Sequence, residues 1–253
     1  MKRAYEIVVI GKGGYARTVR IYAPKKADRA VIMHDGQNAF YDGDAAYGKS
    51  WRALDALKQN GIKNTAIVGI DSVGATRYDD YFPFPTETEE YGFPKCGGKA
   101  DVYADYIQSM VIPYLDERFG FKLYGMAGSS AGANMTAYYA AKRDVRFKAY
   151  AMFSAALFVA PDAYGKFLKE TSFDPDALYS VYVGGNEDTG ELNDPRIAGK
   201  IPQFYVDDAF ALTNALRSSG AKKLTLRYSH NGEHDEVSWR EPFAEFLKLF
   251  SLL

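Results

Sequence analysis

Residues 123–143 read LYGMA, GSSAG, ANMTAYYAAKR, and this stretch decides the fold. Leu123–Ala127 has the character of a short buried strand, and the residues from Ala131 to Arg143 read as a helix rich in small side chains. Between them, Gly128-Ser129-Ser130-Ala131-Gly132 fits the pattern G-x-S-x-G centred on Ser130. A serine lifted on so tight a strand-to-helix turn needs small neighbours, which Gly128 and Gly132 supply. The helix N-terminus also turns backbone N–H groups, that of Ala131 first, toward the place where an oxyanion would develop. The sequence therefore predicts an α/β fold with Ser130 as nucleophile. The plainer reading of the same residues is an ordinary small-residue turn.

On both sides of this stretch, β-rich runs alternate with longer helical ones. Tyr5–Ile10 and Arg17–Tyr22 flank Gly11-Lys12-Gly13-Gly14 as a hairpin. Ala30–His34 and Thr65–Ile70 are continuous apolar runs, as in strands buried on both faces. Lys122–Ala127, Ala149–Phe153, Tyr179–Val183 and Leu224–Tyr228 complete the strands. Helices are predicted over Ser50–Asn60, stopped by Gly61, and over Asp101–Phe119, with a kink at Pro113. Tyr205, Ala209, Leu212 and Leu216 mark another, closed by Gly220. Trp239, Phe243, Phe246 and Phe250 mark the last, with Ser238 as its N-cap. The alternation predicts a mostly parallel central sheet with an antiparallel N-terminal hairpin and helices on both faces. No Pro- or Ser-rich linker divides the chain, so residues 1–253 are expected to form a single domain without a large separate lid.

A serine hydroxyl needs a base. The chain offers three histidines, His34, His230 and His234. In folds built on this serine turn the order is serine, acid, histidine, which disfavours His34. His230 and His234 both lie in SHNGEHDEVSW, residues 229–239. His234, just ahead of the last helix, is the preferred base, and His230 reads as a surface residue. Gly232 breaks the helix that a metal-binding pair at this spacing would need, so no metal is expected. The acid should follow the strand YSVYV, where Glu187 and Asp188 both qualify and Glu187 is preferred. A second oxyanion N–H fits Gln37 in the turn Asp35-Gly36-Gln37-Asn38, with His34 and Asp35 bracing it.

Taken in order, MHDGQNAF (33–40), VIPYLDERFG (111–120), GMAGSSAGANM (125–135), VYVGGNED (181–188) and GEHDEVSWR (232–240) resemble one family of α/β-hydrolases. It comprises esterase D-like enzymes, enterochelin-type siderophore esterases, feruloyl and acetyl esterases, and mycolyltransferases. The resemblance implies an α/β-hydrolase fold with Ser130 as nucleophile, His234 as base, Glu187 as acid and Gln37 as the second oxyanion donor. Trp239 also matches the family pattern. Residues 71–98 follow the family's outline, an Arg and an aromatic–Pro run, only loosely.

Composition narrows the function further. With 31 Lys+Arg against 32 Asp+Glu the formal net charge is −1, which gives no electrostatic reason for a nucleic acid or an anionic membrane as partner. A single cysteine, Cys96, excludes an internal disulfide and any multi-cysteine metal site. The apolar run Ile7–Ile10 is too short for a signal-peptide core, and no stretch is long enough to span a bilayer, so a cytoplasmic location is expected. Gly11-Lys12-Gly13-Gly14-Tyr15-Ala16 fits a loose dinucleotide pattern. That pattern requires a helix next, whereas ARTVRIYAP is β-branched and stops at Pro24. No P-loop motif occurs, and no cofactor is expected. Residues 71–98 carry Tyr78, Tyr81, Phe82, Phe84, Tyr91 and Phe93 without any period. These rings either pack or line a cleft, and Tyr81, Phe82 and Phe84 are the candidate substrate contacts. The charge run Thr86–Glu90 reads as a solvated face. The resulting expectation is a serine carboxylester hydrolase acting on a small, carbohydrate-type or phenolic-type ester. Its rivals are an acyltransferase or peptidase on the same scaffold and a non-catalytic binding protein. The expected partner is a small-molecule ester, and the oligomeric state stays open, a homodimer included.

Overall fold

The computed structural model describes residues 3–88, 94–188, 196–197 and 199–253. Among these, eight strands form one sheet. β1 (Glu6–Ile10) and β2 (Arg17–Tyr22) pair antiparallel around the turn Gly13–Tyr15. β2 then pairs antiparallel with β4 (Thr65–Ile70). All remaining pairs are parallel: β3 (Arg29–His34) lies between β4 and β5 (Leu123–Ser129). Beyond them come β6 (Phe147–Phe153), β7 (Leu178–Asn186) and, at the far edge, β8 (Lys223–Glu233). This is the α/β-hydrolase arrangement, a mostly parallel sheet extended by an antiparallel N-terminal hairpin.

Alternate side chains of the central strands enter two different cores. On β3, Val31 and Met33 pack with Trp51 and with Leu57 of α1 (Ala53–Gln59). Phe243, Phe246 and Phe250 of α8 (Glu236–Phe250) close that side. Ala30 and Ile32 face the opposite layer. That layer contains α3 (Ala100–Tyr106), α4 (Ile112–Phe119), α5 (Ala131–Ala141) and α7 (Ile201–Ser218), joined by α2 (Arg77–Tyr81) and α6 (Pro161–Glu170). Among the described residues no helix is long and apolar enough to cross a membrane.

Several local features differ from the sequence expectation. Asp101–Phe119 carries a π-helical turn at Ile107–Val111, just before Pro113 in the first turn of α4. The π-turn shifts the hydrogen-bond ladder just ahead of Pro113, whose nitrogen has no hydrogen to donate. The N-cap of α8 is Asp235, whose carboxylate accepts from Ser238 N at 2.8 Å, and Ser238 lies inside the first turn. α1 starts at Ala53, after Arg52 in the left-handed region. Residues 71–98 contain the helix α2, and Glu89, Glu90, Tyr91 and Phe93 lie outside the described residues. β8 continues past Tyr228 to Glu233, so His230 belongs to a strand.

The parallel strands all point their C-terminal ends toward one edge of the sheet, where an open α/β sheet places its crevice. The loops after β3, β5, β7 and β8 meet there. The turn after β3 fits because Gly36 lies against the backbone of Gly69 and Ile70, where a Cβ would overlap main-chain atoms that cannot move aside. Gly36→Ala is expected to lower stability by about 2–3 kcal/mol in urea unfolding. Gly43→Ala, at a position with nothing within 4 Å of a new Cβ, should change it by less than about 0.5 kcal/mol. Equal effects of the two substitutions would show that the close approach at Gly36 is not what the fold requires.

Candidate active site

Ser130 sits between β5 and α5 at φ 55° and ψ −128°, a conformation that non-glycine residues rarely adopt. It is held there from both sides. Its N–H donates to Phe153 O at 2.9 Å, and its carbonyl accepts from Ala133 N and Asn134 N at 2.9 and 3.2 Å. The amides of Ala131 and Gly132 come before the first intrahelical bond and remain available. Gly128 and Gly132 touch each other and the ring of His34, and a side chain at Gly128 would overlap both. The start of α5 is anchored by the buried Asn134, whose amide donates to Ala156 O and Tyr164 Oη, each at 2.8 Å.

The turn after β3 is fixed around Asp35, itself at φ 52° and ψ 52°. Asn38 N and Ala39 N donate to Asp35 O and Gly36 O. The Gln37 side chain clamps Ser72 in both directions, donating to Oγ at 3.0 Å and accepting from its N–H at 3.1 Å. Arg77 of α2 grips the Asp35 carboxylate with two bonds of 2.8 Å. Burial pushes the Asp35 carboxyl up, but the guanidinium more than offsets this and holds it below the usual carboxylate range. His34 is buried beside them, and burial pushes its imidazole down to about 4. Its Nδ1 lies 3.3 Å from Tyr103 Oη, while its Nε2 has no partner among the described residues.

The third loop centres on Glu187, which is completely buried. One carboxylate oxygen accepts from Gly184 N at 2.6 Å and from Ser154 Oγ at 2.5 Å. The other lies 2.6 Å from His234 Nδ1. If Glu187 is ionised, Nδ1 is the donor in this contact, and a neutral ring then presents Nε2 as an acceptor. Ser154 in turn accepts from Trp239 Nε1 at 2.9 Å. The His234 ring packs against Tyr205 and edge-on to Trp239. Asp188, the other candidate acid, is exposed.

Ser130, His234, Gln37, Asp35, Arg77 and Trp239 share one cleft of about 600 Å³. The structure therefore brings together the serine, the histidine, the glutamate behind it and the Gln37 turn. His230 lies exposed on β8. The candidate substrate contacts fall elsewhere. Tyr81 and Phe82 are buried in the core, with Tyr81 Oη bonded to Asp35 N, and Phe84 packs on Tyr164 and Phe167. The aromatic-rich segment supplies Tyr78 to the cleft instead. Sequence reasoning missed Ser154 and gave Arg77 no role. Ser154 carries no motif, and its one signal is a polar residue directly after a buried strand. Among the described residues no three His, Cys, Asp or Glu side chains are grouped to hold a metal ion.

A fold of this topology, with a serine turn, a histidine and a buried carboxylate at the C-terminal ends of its strands, defines the α/β-hydrolase class. The family model described as "Putative esterase" matches residues 13–250, and the chain belongs to that family of carboxylic ester hydrolases. Solved structures are similar over almost the whole chain. An IroE-like serine hydrolase from Shewanella oneidensis is 17% identical with a TM-score of 0.76, over 98% of this chain and 80% of that one. The siderophore hydrolase EstA from Aspergillus nidulans is 16% identical with a TM-score of 0.75, over 98% and 95%. The enterobactin esterase FES from Shigella flexneri is 17% identical with a TM-score of 0.67, over 98% of this chain and 59% of that one. No curated protein sequence matches.

The depressed pKa of His34 links stability to pH. Between its ordinary 6.5 and about 4 the unfolded chain takes up a proton that the folded protein refuses. Stability is then fully present above pH 6.5 and falls as the pH drops through this window, by about 3 kcal/mol in all from this one group. His34→Gln, which cannot take up that proton, should show a shallower loss in urea midpoints measured from pH 7 to pH 4.5. Parallel pH profiles for the two proteins would show that His34 is not the titrating group.

Proposed function

We propose that the protein is a serine carboxylester hydrolase working through Ser130, His234 and Glu187. The observation that carries this reading is the 2.6 Å contact of His234 Nδ1 with the buried Glu187, on an imidazole that shares a cleft with Ser130. Glu187 fixes the tautomer and orientation of the ring and stabilises its charged form. His234 Nε2 takes the Ser130 proton as Oγ attacks the ester carbonyl carbon. The N–H groups of Ala131 and Gln37 receive the oxyanion of the tetrahedral intermediate. His234 then gives its proton to the departing alkoxide, leaving Ser130 acylated. Water, deprotonated by the same nitrogen, attacks the acyl carbon, and His234 returns that proton to Ser130 Oγ as the acyl bond breaks, releasing the acid and the free serine.

Family membership, the strained serine at the start of α5 and the available first-turn amides all support this reading. The substrate fits a small, carbohydrate-type or phenolic-type ester in a cleft whose walls mix polar groups with the rings of Tyr78 and Trp239. Ser130→Ala should reduce kcat for p-nitrophenyl acetate by at least about 10³-fold. Glu187→Gln should reduce it by about 10²–10⁴-fold, because an amide can present its NH₂ to Nδ1 and favour the wrong tautomer. Both variants should keep the wild-type circular dichroism spectrum. Full activity in folded Ser130→Ala would rule out this mechanism.

A further inference from the structure

Glu236 is the first residue of α8 and is 5% exposed, yet it belongs to the wall of the same cleft. A carboxylate so deeply placed is costly unless its oxygens are matched. One of them is matched: Oε1 accepts from Asn38 Nδ2 at 2.7 Å, and Asn38 Oδ1 is itself fixed by Ala46 N at 2.9 Å. Apart from its own backbone amide, the Glu236 carboxylate has no hydrogen-bond partner but Asn38 among the described residues, and Oε2 is not sealed from the cleft. The cations of the cleft are already engaged, Lys49 with Asp235 at 2.8 Å and Arg77 with Asp35. Asp35 and Asp235 surround Glu236 with like charge, and burial together with these neighbours pushes its carboxyl up. The mechanism proposed above makes no use of Glu236. Its position is nevertheless pinned by Asn38, which directly follows the Gln37 oxyanion turn.

We infer that Glu236 is a specificity residue whose Oε2 accepts a hydrogen bond from a hydroxyl group of the substrate. The ester turned over best then carries a hydroxyl close to the scissile bond. The inference rests on reading the cleft as a serine esterase site. An ammonium would meet the same acceptor, because Asp35, Asp188, Asp235 and Glu236 outnumber Lys49 and Arg77 in the lining, and an amino ester therefore belongs in the test. A site built around such an acceptor rejects the analogue that lacks the hydroxyl, because substrate binding then strips water from the oxygen and leaves it unpaired.

Two matched pairs of esters test this. p-Nitrophenyl 3-hydroxybutyrate against p-nitrophenyl butyrate probes the acyl side, and glycerol monoacetate against propyl acetate probes the alcohol side. The wild type should prefer the hydroxylated member of one pair by about tenfold or more in kcat/KM. In Glu236→Leu that ratio should fall to near one. Glu236→Gln keeps its oxygen on Asn38 and turns NH₂ into the cleft, so its ratio should fall by at least about threefold. Each ratio is taken within one protein, so any loss of folded material cancels. A wild-type ratio near one in both pairs would overturn the inference, as would a ratio unchanged in Glu236→Leu. A stronger preference for p-nitrophenyl 3-aminobutyrate would overturn the hydroxyl assignment in favour of a cation. If the wild type cleaves none of these esters, the serine esterase reading falls and this inference with it. If Ser130→Ala abolishes turnover of both members while the wild-type ratio stays near one, only the role of Glu236 is lost.

Discussion

A single buried carboxylate organises the end of the sheet. Glu187 has no contact with water, and a charge in that position is tolerable only when each oxygen is matched by donors. The matching comes from three places in the chain: the Gly184 amide at the end of β7, the Ser154 hydroxyl after β6 and the His234 ring after β8. Each imposes its own local constraint. Ser154 must adopt φ 50° to present its hydroxyl, and Trp239 of α8 holds it there. Gly184 must lack a side chain, because a Cβ would overlap Gly232 and lie 3.0 Å from the Glu187 oxygen. The backbone of three loops is thus shaped around one negative charge.

The opposite wall of the cleft uses the same principle with a different partner. Asp35 is buried at the end of β3, and the Arg77 guanidinium, planar and bidentate, satisfies both of its oxygens. The guanidinium also lies over the rings of Tyr78 and Tyr81, at 5.4 and 5.3 Å from their centroids. Short helix α2 therefore acts as a brace for the Gln37 turn, and the aromatic rings around it stiffen that brace. Between these two carboxylate-centred supports stands Ser130, held in an unfavourable conformation by β6 and α5.

The central strands were readable in the sequence because strands buried on both faces are apolar throughout. TAIVGI is buried at every position of β4. The edge strand β8 shows the converse. Its last residues, Ser229–Glu233, are mostly polar, and they belong to the sheet through backbone pairing that side chains do not advertise. The serine turn was legible because its steric demand falls on contiguous residues. Glu187 and Asp188 could not be separated in the same way. They are neighbours of equal chemistry, and only the direction of the turn buries one and exposes the other. Ser154, Asn38 and Arg77 gain their partners through long-range contacts that no local pattern encodes. Tyr81 and Phe82 looked like cleft residues because α2 is too short to show a helical period, and its formation turns them inward.

The order in which the strands occur also has a kinetic meaning. Ser130 follows β5, Gln37 follows β3, Glu187 follows β7 and His234 follows β8, so the cleft side chains come from the ends of four separate strands. β3 and β5 are adjacent in the sheet but distant in the chain, and closing so long a loop is slow. A nascent chain that has laid down β5, β6 and β7 carries the serine and the glutamate without the imidazole. The whole set comes together only when the last strand has docked. Any chain that ends after Glu187 and before β8 therefore carries Ser130 and Glu187 but lacks His234.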